Sequence, residues 1–114
     1  MAYKQIFGVL SGFEAPKTIG NYLCVIQNAT TGILEVATTG IHILGVVQSG
    51  KGVQKYGVAK VLAEGVIPFG SPVKVGAAGG VVVAAATEKA IGLAAEAATA
   101  ANAVISVVVE NFTV

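Results

Sequence analysis

The sequence predicts an all-β protein: a small barrel or tulip-like sandwich of about eight short strands, preceded by an extended N-terminal arm. Three observations predict it. The β-branched and aliphatic runs are short, they are bounded by Gly, Pro, Asn or Thr at regular intervals, and several alternate apolar with polar at every second residue.

The arm comes first, at residues 1–21, "MAYKQIFGVLSGFEAPKTIGN". It carries Tyr3, Phe7 and Phe13 among Gly and Lys, which is too apolar a set to stand free in water. Either it packs back as a strand of its own domain, or it lies on a neighbour by adding a strand to an exposed edge. Residues 22–114 then read as a single all-β domain. The predicted strands lie in "YLCVIQN", "GILEVATT", "IHILGVVQ", "QKYGVAKVLA", "SPVKVGA", "GGVVVAAAT" and "AVISVVVENFTV". In the fourth, Ala59, Val61 and Ala63 form one face, and Lys60 marks the other, with Val58 and Leu62. Val73 and Val75 likewise oppose Lys74. "AIGLAAEAATAANA" is rich in helix-forming Ala, but Gly92 and its likeness to "ILGVVQSG" predict a strand through Ile91 to Glu96, then a loop.

That likeness is part of a longer echo. Sliding the chain by 47 residues places 22–62 on 69–109 and aligns Gly32 with Gly79, Val36 with Val83, Gly45 with Gly92 and Val61 with Val108. This is either a duplication or two meanders written in the same β grammar.

Composition excludes several functions. Of 114 residues, 54% are hydrophobic and only 11% charged, which leaves apolar surface over for a partner. No run of about 20 residues is both apolar and free of charges and turn formers, so a membrane span is not expected. Gly8, Gly12 and Glu14 interrupt the N-terminal apolar run, so a signal peptide is not expected either, and synthesis in the cytoplasm is. The net charge is +1 and every basic residue is lysine, which argues against nucleic-acid binding. The lone cysteine, Cys24, reads as a small core residue.

Catalytic patterning is equally thin. His42 is the single histidine; it alternates with Ile41 and Ile43 and is expected to face solvent or an interface. The acids are Glu14, Glu35, Glu64, Glu88, Glu96 and Glu110, with no Asp, and they show no metal-ligand spacing. "GAAGG" and "SGKGVQKYG" lead into strand-like residues rather than a helix start, so they are turns and not phosphate loops. No catalytic, cofactor or metal site is expected, and the protein is not expected to be an enzyme.

Two resemblances remain. "ATEKAIG" resembles the hairpin of lipoyl and biotinyl carrier domains, which implies modification of Lys89, although the Asp before the lysine and the Met beside it are missing. More of the chain resembles the small tailed-phage capsid decoration, or cement, proteins. The residues that carry this are Gly32, Val36 and Ala37; Leu44, Gly45 and Val46; Gly57, Ala59, Val61, Gly65, Ile67, Gly70 and Val73; and Ile91, Gly92, Ala94, Glu96 and the strand Val107 to Val109. Ser71 and "GAAGG" stand where members often have an Asp and a "D.dG" turn. The resemblance implies a homotrimer on the outer surface of an icosahedral head, with the major capsid protein as partner and no cofactor. Tyr3, Phe7 and Phe13 are the candidate contacts to the capsid or to a neighbouring subunit. Another trimeric virion part, a head fibre base or tail component, would share this pattern.

Overall fold

A computed structural model describes residues 18–114 in full and residues 9–14 as backbone. The fold is all-β, with no helix among the described residues. Ten strands follow one another: β1 (Val9–Glu14), β2 (Cys24–Gln27), β3 (Leu34–Val36), β4 (Gly45–Val47), β5 (Gly52–Gln54), β6 (Gly57–Leu62), β7 (Pro72–Val75), β8 (Val81–Val83), β9 (Lys89–Ala94) and β10 (Val104–Thr113).

The first five strands make one sheet, in the order β1-β5-β4-β2-β3, and the next five make a second, in the order β6-β10-β9-β7-β8. Adding five to each label of the first sheet reproduces the second. The registers agree as well. Val25 pairs with Gly45 and with Val36; Val73 pairs with Gly92 and with Val83. Positions therefore correspond at a spacing of 48 through β2 and β7, and of 47 through β3, β4 and their counterparts. The spacing then changes: β5 corresponds to β10, with Val53 opposite Val47 as Val107 is opposite Ala94. Val61 and Val108 are not counterparts. The loop at 48–51 is shorter than that at 95–103, and a gapless slide does not register the difference.

Each half wraps its own core. Ile19, Val25, Leu34, Val47 and Val53 form the smaller cluster, with Leu44 packed against it. Their counterparts Ile67, Val73, Val81, Ala94 and Val107, together with Ile91, lie in the larger one. The second sheet curls until its edges touch, through a parallel bridge between Ala63 and Val81 and a hydrogen bond from Glu64 N–H to Val81 O at 2.9 Å. The alternation in β6 explains its orientation, since Ala59 and Val61 are buried while Val58 and Lys60 are exposed.

The halves are then joined front to back. Cys24, Ala37, Ile43 and Val46 of the first half belong to the core cluster of the second. Two carboxamides reinforce the seam by imitating a strand. Gln48 donates to Lys60 O at 2.9 Å and accepts from Lys60 N–H at 3.1 Å. Asn111 donates to Ile43 O at 2.8 Å and accepts from Ile43 N–H at 3.2 Å. In this way backbone groups that fall outside both ladders are satisfied.

Cys24 is fully buried and unbonded to another cysteine. Burial, aided by the charge of Glu64, pushes its thiol up from 9.0 to about 12. Between those values the unfolded chain releases the proton and the folded chain keeps it, so stability falls as pH rises through this window. At pH 8 the thiol is expected to resist a soluble disulfide reagent until the protein is unfolded by denaturant. Prompt labelling of native protein would contradict the burial described.

Candidate interaction surface

The outer face of the second sheet is where unsatisfied surface collects. Cross-strand pairing aligns Val58 with Val108, Val108 with Leu93 and Leu93 with Pro72, so one row crosses four strands. Val58, Val108 and Leu93 in this row are all exposed. Beside it lies an open groove of about 270 Å³, lined by Gly92, Leu93, Val108, Glu110 and Phe112. Exposed aliphatic side chains on a hydrogen-bonded sheet cannot collapse onto one another, so the face is a rigid apolar platform.

Around the platform the charges are occupied with structure. Lys60 reaches Ser106 Oγ at 2.9 Å and Glu96 at 3.4 Å. Glu96 accepts from Ser106 N–H at 2.7 Å, and that bond, followed by the Ser106 hydroxyl and Lys60, holds its carboxyl below the usual range. Glu88 is held low by Lys74 at 2.7 Å first and by Ala85 N–H second. Both contributions are present above the ordinary carboxylate range and are lost as pH falls through it. Glu64 accepts from Ala78 N–H at 3.0 Å and Gly80 N–H at 2.7 Å and so closes the β7–β8 turn. The described carboxylates that sequence reading scattered among candidate sites thus include three that act as turn and strand fasteners.

The other singled-out residues fall as follows. His42 is exposed, as expected, but in a loop rather than a strand, with Nε2 3.1 Å from Phe112 O. No group of three His, Cys or Glu residues that could hold a metal occurs among the described residues. Lys89 is exposed, yet the turn before it is not a hairpin: β8 and β9 lie on opposite sides of β7, and Lys89 pairs with Thr113 inside the ladder. Tyr3 and Phe7 lie outside the described residues. Phe13 lies in β1, which pairs antiparallel with β5 at the edge of the first sheet; its side chain is also outside the described residues. The apolar row was missed because Leu93 and Val108 resemble core residues in type, and only the stacking of the halves decides which face is covered.

No family model, curated protein or solved structure matches this chain.

Proposed function

We propose that the protein is a structural virion component that binds the outside of an icosahedral phage head as a homotrimer and stabilises the expanded shell. The observation that supports this reading best is the platform at Val58, Val108 and Leu93, an exposed apolar row on a fastened sheet. A protein whose work is attachment needs such rigid apolar surface, and its anchors gain from losing little entropy on contact. The likeness to capsid decoration proteins points the same way. On a shell, three weak contacts held by one trimer act together, which converts modest subunit affinity into firm attachment. Binding to the expanded state alone would stabilise that state by mass action.

The test uses expanded heads assembled without this protein. Purified full-length chain is expected to co-sediment with them, to saturate at a multiple of three copies per site class, and to raise the temperature at which the heads break open. Heads that take up none of it, or that take it up with no gain in stability, would refute the assignment.

A further inference from the structure

The two halves place one surface in two situations. In the first half the outer face of β2 and β4 is covered. Cys24 and Val46 are buried in the core cluster of the second half, and Cys24 N–H donates to Gly79 O at 2.7 Å. The β7–β8 turn sits so close that a Cβ on Gly79 would strike Val36 Cγ1. The registers carry Cys24, Val36 and Val46 onto Pro72, Val83 and Leu93. There the same face is open, with Val83 43% and Leu93 46% exposed.

The covering element also has a counterpart. Gly79, at φ 88°, corresponds to Gly32, at φ 75°, in the β2–β3 turn, and the next residue, Ile33, is 60% exposed. This tip is held stiff. Asn28 Oδ1 accepts from Thr30 and Thr31 N–H at 2.8 and 2.9 Å, and Gln27 Nε2 donates to Gly32 O at 3.0 Å.

We propose that the chain associates head to tail with a second copy of itself, the β2–β3 tip of one copy at Gly32 and Ile33 seating on the Val83 and Leu93 face of the next. The contact continues between copies the seam that each chain contains between its halves. A second copy is the occupant because it brings a tip built like the one that covers the equivalent face. Tip and face belong to different halves, so the contact is heterologous and closes into a ring when the rotation per copy divides the circle. One element is not repeated: Pro72 stands where Cys24 donates to Gly79 and has no N–H, which leaves the seam between copies apolar. The pairing rests on the correspondence of the halves, independently of the virion reading.

The experiment measures native mass at micromolar concentration for the full chain, for Ile33→Glu, for Val83→Glu, and for an equimolar mixture of the two variants. The wild type is expected to be oligomeric and each variant monomeric. The mixture is expected to give dimers, since unlike copies still share one intact tip and one intact face. A monomeric wild type, variants that keep the wild-type mass, or a mixture that stays monomeric each overturns the proposal. A wild-type oligomer indifferent to both substitutions would overturn this pairing and leave the virion reading standing. Should melting show a variant unfolded, a chain carrying Ile33→Cys and Val83→Cys replaces it. Intermolecular disulfide ladders on oxidation support the seam, and monomer bands alone refute it.

Discussion

Gly92→Ala is expected to destabilise the protein by about 3 kcal/mol, lowering its melting temperature by more than roughly 10 °C. A Cβ at Gly92 would meet the carbonyl oxygen of Val108 and, at 2.8 Å, Cγ1 of Val107. The carbonyl is backbone within the β9–β10 pairing, so neither strand can yield without opening the ladder. Gly45 faces the corresponding atoms one half earlier, with Gln54 O and Val53 Cγ1 each 2.6 Å from its would-be Cβ. Gly45→Ala is therefore expected to cost a similar amount. Two controls separate crowding from backbone strain. Gly40 has φ 74° and open space around it, so its replacement by alanine should cost about 1 kcal/mol. Gly65 has open space and no positive φ, and Gly65→Ala should be neutral within about 0.5 kcal/mol. Denaturant melts of the four variants check the order. A neutral Gly92→Ala, or a wide gap between Gly45 and Gly92, would contradict the correspondence of the halves.

Ile67→Ala should cost still more, about 4 kcal/mol. Ile67 is fully buried in the larger cluster, and its backbone is fixed on both sides by Ala98, with hydrogen bonds of 2.9 and 2.8 Å. A pinned backbone cannot move inward to fill the space left by the side chain, so the cavity term is felt in full. A loss of this size is a large share of the stability of a small domain, about 5–15 kcal/mol. Its counterpart Ile19 sits in the smaller cluster and is slightly exposed, so Ile19→Ala is expected to cost about 2 kcal/mol. Equal losses at the two positions would show that the cluster sizes misstate where stability resides.

How far the sequence discloses this architecture depends on the scale at which it is read. Alternation in β6 and β7 identifies the buried side of each strand, because Lys60 and Lys74 can mark only the wet one. The echo at Gly32 and Gly79, and at Gly45 and Gly92, reflects shared backbone requirements, a positive φ in the first pair and a close strand in the second. Those signals survive in one sequence because no other residue meets them cheaply. β5 was missed, since "GVQ" at 52–54 is too short to show a period. β1 lies within the arm, where an extended segment and an edge strand have the same composition. The surface was the least legible part. Val46 and Leu93 occupy the same place in the two halves, one fully buried and one half open, and nothing local tells them apart. Their difference comes from the order of stacking, a property of the whole chain.

The central claim is that this is an assembling structural protein that acts as an unmodified trimer. A native mass spectrum of the purified full-length chain tests it most directly, because it reports copy number and covalent additions together. The account predicts a homotrimer with each subunit at the mass of the bare polypeptide. A monomer carrying added mass on Lys89 would contradict it and assign the protein to the carrier domains instead.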